Sequence, residues 1–209
     1  MTRRDPAPVH AHALSGPPHP AATQEARESS RSQDPAAGRY GGLGMVADVY
    51  LELRELILRG DPYAHGWTPS AELPHVWGAL VEVGLAAGPA TLVALRDGTT
   101  SLYLGNGGAT IGAGAAGAVA EGTRRLLTAV EGALDRFAPI WEFPVPEPGR
   151  VRMVALTYGG AMGADAGQVE LEDDRHPLAA VFTASGAVLA EIERLEAAMP
   201  DGGDGEPLS

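Results

Sequence analysis

Leu92-Val93-Ala94-Leu95-Arg96-Asp97-Gly98-Thr99-Thr100-Ser101-Leu102-Tyr103-Leu104 is the stretch that decides the fold class. Two short apolar runs flank Asp97-Gly98, and an Asp-Gly pair supplies the positive φ that a tight hairpin turn requires. Upstream, 76–86 is apolar except for Glu82, and Gly88-Pro89 separates it from the run that begins at Ala90. Downstream, Gly105-Asn106-Gly107-Gly108 marks another turn before the short strand Ala109-Thr110-Ile111. The expected sheet therefore starts as an antiparallel meander.

Helices are expected on either side of this meander. Over 43–59, Met45/Val46, Val49/Tyr50, Leu53 and Leu56/Ile57 recur at three- and four-residue spacing, leaving Glu52, Arg54 and Glu55 for the opposite, solvated face. A second helix is expected over 115–137, with Val119, Leu126/Leu127, Val130, Leu134 and Phe137 inward. A proline-rich connection (139–148) leads to a strand over 151–158. Then 159–167 reads as loop, 168–172 as a possible strand, and 177–199 as the last helix. The fold class is α+β: a hairpin-rich, mainly antiparallel sheet with about three amphipathic helices. Residues 1–42 are rich in Pro, Ala and Ser and hold too little aliphatic surface to offset chain entropy, so a disordered tail is expected there, with a second, acidic one over 200–209. The span 43–199 is one domain's worth of chain.

Composition excludes several function classes. The 209 residues contain no Cys and no Lys; 15 Arg face 27 acidic residues, for a net charge of −12. Without Cys there is no disulfide, thiolate nucleophile or thiolate metal site; without Lys there is no P-loop lysine or Schiff base. The acidity lies in 43–199, where 10 Arg face 20 acids, and it argues against nucleic acid and anionic membrane surfaces as partners. No stretch of 18 apolar residues occurs, and no apolar segment follows Arg3-Arg4, so a cytoplasmic location is expected.

Candidate chemistry is sparse. Gly112-Ala113-Gly114-Ala115-Ala116-Gly117 matches G-x-G-x-x-G, and as cofactor-binding residues Gly112, Gly114 and Gly117 would let a pyrophosphate approach a helix N-terminus. The preceding strand is short and no acidic residue sits at a strand end about 20 residues on, so a Gly/Ala-rich turn is the preferred reading. His65, Trp67, His75 and Trp77 concentrate aromatic and imidazole groups and mark a possible pocket, or else a loop packed down by two tryptophans. His10, His12 and His19 fall in the N-terminal tail, where a metal would find no second-shell support. Ser101 lacks a nucleophile elbow. His176 reads as a capping or surface residue. Glu170, Glu172, Asp173 and Asp174 lack the periodicity of a calcium loop and suit the approach to a helix N-terminus. Arg124-Arg125 is a solvated pair. No catalytic residue, metal site or cofactor is assigned.

The run Leu92–Gly98, followed by the helix around Val119–Phe137, resembles roadblock/longin-type modules of the profilin-like class. The resemblance implies a homodimer that regulates or scaffolds a protein partner. The function expected is thus a non-enzymatic interaction module; the alternative is a small ligand- or nucleotide-binding domain or enzyme using the glycine-rich loop 105–117.

Overall fold

The computed structural model describes residues 46–198. The expected tails and His10, His12 and His19 lie outside the described residues. Seven strands form one sheet: β1 (Val76–Val83), β2 (Ala90–Leu95), β3 (Thr100–Leu104), β4 (Ala109–Ile111), β5 (Ala138–Pro139), β6 (Arg150–Thr157) and β7 (Gly160–Gly167). Their spatial order is β4-β3-β2-β1-β6-β7-β5, and every pairing is antiparallel. The Asp-Gly hairpin joins β2 to β3 as expected, with Gly98 at φ 88°.

Helices α1 (Asp48–Leu58), α2 (Gly117–Gly132) and α4 (Ala179–Ala198), with the single turn α3 (Gln168–Leu171), complete the α+β fold. One sheet face carries Val81, Leu92, Ala94, Val151, Met153 and Ala155 and packs under α2 and α4. The other carries Trp77, Leu80, Val93, Val154 and Leu156 and packs under α1 and the segment 140–145. A β-bulge serves both layers. Val76 pairs with Thr157 and Gly78 with Leu156, so Trp77 is an extra residue in β1. Val76 thus joins the first layer and Trp77 the second.

The face under α1 also carries a polar row. Tyr103, Thr91, Glu82, Arg152 and Asp165 are successive cross-strand partners on β3, β2, β1, β6 and β7. Arg54 and Tyr50 descend on this row from α1. The Arg54 guanidinium donates from Nε to Glu82 Oε1 at 2.5 Å and from Nη2 to Oε2 at 2.8 Å. Tyr50 Oη and Thr91 Oγ1 are hydrogen-bonded at 2.7 Å, and Thr91 Oγ1 donates to Glu82 Oε1 at 3.2 Å. Arg152 forks onto both carboxylate oxygens of Asp165 and also reaches the Pro144 carbonyl. Glu82 is 0 % exposed and Arg54 4 %. Among the described residues, no buried side-chain polar atom lacks a partner, as a buried charge requires.

Several expectations are corrected here. Arg54 belongs to the buried stripe of α1 with Tyr50 and Leu58, not to the solvated face, because Glu82 waits beneath it; Leu56, expected inward, is 67 % exposed. Residues 160–167 are not loop but β7, paired along its whole length with β6. Residues 168–171 are a helical turn rather than a strand, held by the Glu170 carboxylate accepting from the Gly167 amide at 2.7 Å. The second helix ends at Gly132, and a 3-10 turn over Leu134–Arg136 delivers Phe137 into the core. Within the proline-rich connection, Ala138–Pro139 pairs with β7, and 140–145 lies over the α1-side layer.

Replacing Arg54 by Met strands the Glu82 carboxylate in the interior. The expected loss is about 3–5 kcal/mol in urea denaturation. Adding Glu82→Met to the same chain removes the stranded charge and is expected to recover most of that loss. Single and double variants with equal midpoints would show that the two groups are not coupled.

Candidate functional site

A hollow of about 570 Å³ lies between α4 and the first three strands. Its floor is Val81 and Val83 from β1, Ala90 and Leu92 from β2, and Leu102 and Leu104 from β3. Its wall is one stripe of α4: Phe182, Ser185, Gly186, Leu189 and Glu193. These follow helical spacing, so a single face of α4 looks into the groove. Leu171, Glu172 and Asp174 close one end, and Leu85, in the turn after β1, stands at the mouth.

The groove lies beside the line along which α4 packs against α2. Gly122 on α2 permits this approach. A Cβ there would stand 3.1 Å from Val188 Cγ2 of α4. The helix α2 contacts β1, β2 and β3 beside the groove, and within the groove Val83, Ala90 and Leu102 stay partly exposed. Leu85 and Leu104 are exposed.

The electrostatics of the groove are one-sided. Glu172, Asp174 and Glu193 stand exposed at its rim and form no ion pair among the described residues. Among the described residues no arginine lines it. The neighbouring acids are different: Asp173 is paired with Arg175, and Glu191 with Arg194. The Ser185 hydroxyl is spent on the Phe182 carbonyl at 2.7 Å. The groove therefore offers an apolar bed, no spare hydrogen-bond donor from Ser185, and an anionic edge.

The residues expected to form a pocket divide into two groups. His65 stacks on Trp67 with ring centroids 4.8 Å apart, and Trp67 leans on Trp77 at 5.9 Å. Trp77 and Tyr158 line a smaller hollow of about 280 Å³ with Asp61, Pro62 and Tyr63. His75 faces elsewhere: its Nδ1 lies 2.7 Å from Glu131 Oε1, on α2. Glu131 Oε2 also accepts from the backbone amides of His75, at 3.1 Å, and Val76, at 2.8 Å. This carboxylate anchors the entry to β1.

The glycine-rich loop lies at the sheet edge. It follows β4, which is antiparallel to β3, whereas a dinucleotide-binding turn follows a parallel central strand. Gly112 adopts φ 76°, and a Cβ on Gly114 would fall 1.8 Å from the Gly98 carbonyl oxygen. The loop is thus moulded onto the Asp97-Gly98 turn. Thr100 and Thr123, hydrogen-bonded at 2.6 Å, tie the same hairpin to α2. Ser101 is buried on β3. His176 Nδ1 accepts from the Leu178 amide at 3.2 Å just before α4. Among the described residues no group of three or more His, Asp or Glu is placed to hold a metal ion, and no helix is long and apolar enough to cross a membrane.

Sequence reasoning missed the groove and the Arg54–Glu82 pair. The visible signal for the pair was Glu82 itself, one acid in an apolar run, with Tyr50 and Arg54 one helical turn apart on α1. The groove had none, because Phe182 and Leu189 read simply as inward.

No protein-family model, no curated protein and no solved structure matches the chain.

The Glu131 anchor generates a pH prediction. Burial pushes its carboxyl up, but hydrogen bonds from His75 and from the Val76 and His75 amides outweigh that and hold its pKa below the ordinary carboxylate range. A depressed native pKa stabilises the fold above the unfolded value, about 4.3, and that contribution is lost as pH falls through the native value. Glu131→Gln is therefore expected to be less stable than wild type at neutral pH, with the difference shrinking below about pH 4. Denaturation midpoints across the acid range measure this; a constant difference would remove the assignment.

Proposed function

We propose that this domain is a non-enzymatic interaction module that receives an apolar segment of a protein partner in the groove beneath α4. The observation that carries the reading is the groove itself: apolar side chains of three strands and one helix line an open hollow, with Leu85 and Leu104 exposed at it. Contiguous exposed apolar surface of this kind marks binding sites. The polar clusters elsewhere have evident structural employment. Arg54 and Glu82 hold α1 to the sheet, Glu131 anchors β1, and the glycine-rich loop seats the hairpin. Self-association, implied by the resemblance to roadblock/longin modules, belongs to the same reading. Sedimentation velocity of the full chain tests it separately, and a monomer at every concentration would remove it.

A second reading, a small apolar ligand, draws on the groove's volume, which lies in the range of small-molecule sites.

Gly186 supplies a blocking variant. It sits on the groove-facing stripe of α4, and a Cβ there would meet nothing within 4 Å. Gly186→Leu fills the groove and gains roughly 0.8 kcal/mol of helix propensity, so the variant is expected to fold at least as stably as wild type. Peptides selected by display against the full chain are expected to share regularly spaced apolar residues and to lose binding to Gly186→Leu. Selected peptides that bind both chains equally would place the contact elsewhere. Failure to select any peptide, with a fatty alkyl probe bound by wild type and rejected by Gly186→Leu, would favour the small ligand.

A further inference from the structure

We infer that the segment received by this groove is an amphipathic helix with basic residues flanking its apolar face; the inference rests on the groove being the working surface. Two observations lead to it. The first concerns backbone. Both edges of β1 and both edges of β2 are already paired, and β3 is paired with β2 and β4. The floor thus presents side chains alone, and an extended segment laid on it could not add a strand. A helix satisfies its own amides and carbonyls and needs only side-chain contact. The apolar strip on offer, from Leu85 and Leu104 across Leu102 to Phe182 and Leu189, suits anchors at i, i+3, i+4 and i+7.

The second observation is charge. Glu172, Asp174 and Glu193 rim the strip without ion-pair partners among the described residues, and no arginine lines the groove. The whole chain carries −12 and contains no lysine, so an approaching cation meets attraction from the molecule at large as well as from the rim. An acidic helix would set its flanks against three carboxylates. A basic one supplies each with a counter-charge. Three exposed pairs of ordinary strength amount to roughly tenfold in affinity. Anionic lipid surfaces are disfavoured by the same charges.

The test uses the full chain and labelled synthetic peptides read by fluorescence anisotropy. One peptide is about four helical turns long, with Leu at i, i+3, i+4 and i+7 and Arg at the flanking positions. Its counterpart carries Glu at those positions. Dodecyltrimethylammonium serves as a small lipophilic cation. The Arg peptide is expected to bind, and more weakly as salt is raised, while the Glu peptide does not. The exposed triple variant E172Q/D174N/E193Q is expected to weaken the Arg peptide by about tenfold and to flatten its salt dependence. Gly186→Leu is expected to abolish binding.

Equal binding of both peptides, lost in Gly186→Leu, would overturn the basic helix and leave the groove standing. Arg-peptide binding unchanged in Gly186→Leu would overturn both. Dodecyltrimethylammonium bound by wild type and rejected by Gly186→Leu, with neither peptide bound, would replace the helix by a small cationic amphiphile. Binding of none of the probes would overturn the inference.

Discussion

The pairing of Arg54 with Glu82 is the constraint around which the rest of the molecule is arranged. A carboxylate on a central strand, closed off from water, is tolerable only beside a fixed opposite charge. That requirement places α1 over the sheet at one position along its length and holds Tyr50 above Thr91. It also fixes the alignment of β1. Sliding this strand by one residue would turn Glu82 toward the apolar layer of Val151 and Met153 and away from Arg54. Burial opposes the Arg54 charge, and the hydrogen bonds and charge of Glu82 more than offset that, so the pKa of the guanidinium is raised. The same burial raises the pKa of Tyr50.

The two sheet faces have consequently different characters. The α1 face is tied by directional polar contacts among Tyr50, Arg54, Thr91 and Glu82, and Arg152 joins Asp165 to the proline-rich segment. The opposite face is held mainly by packing, with the Thr100–Thr123 and Glu131 hydrogen bonds tying α2 to its margins. There α4 approaches α2 closely at Gly122 and Val188. The first face fixes the position of α1 over the sheet, and the second leaves a hollow beside α4.

Legibility in the sequence followed the range of the interactions. The β2–β3 hairpin was readable because its turn dipeptide and flanking apolar runs are adjacent in the chain. The three long helices were readable from their spacing. β7 was not: Gly160-Ala161-Met162-Gly163-Ala164-Asp165-Ala166-Gly167 has little strand propensity of its own, and pairing with β6 makes it a strand. Arg54 read as solvated because its partner lies 28 residues away. His65, Trp67 and Trp77 do cluster, whereas His75 is drawn to Glu131, 56 residues on. Glu172 and Asp174 stand out as part of an acidic cluster in the sequence, but their relation to Glu193, Phe182 and Leu189 depends on the placement of α4, which no local pattern encodes.

The groove is assembled from parts made at different times. Its floor comes from a local meander whose strands contact near neighbours in sequence, whereas its wall, α4, is the last element of the described chain. On a ribosome the floor can form while the residues that shield it are still unmade. During that interval Leu92, Leu102 and Leu104 face solvent with neither α2 nor α4 above them. Until α4 docks, the nascent domain presents a broader sticky surface than the finished one, and chaperone engagement should concentrate there and end with the docking of that helix.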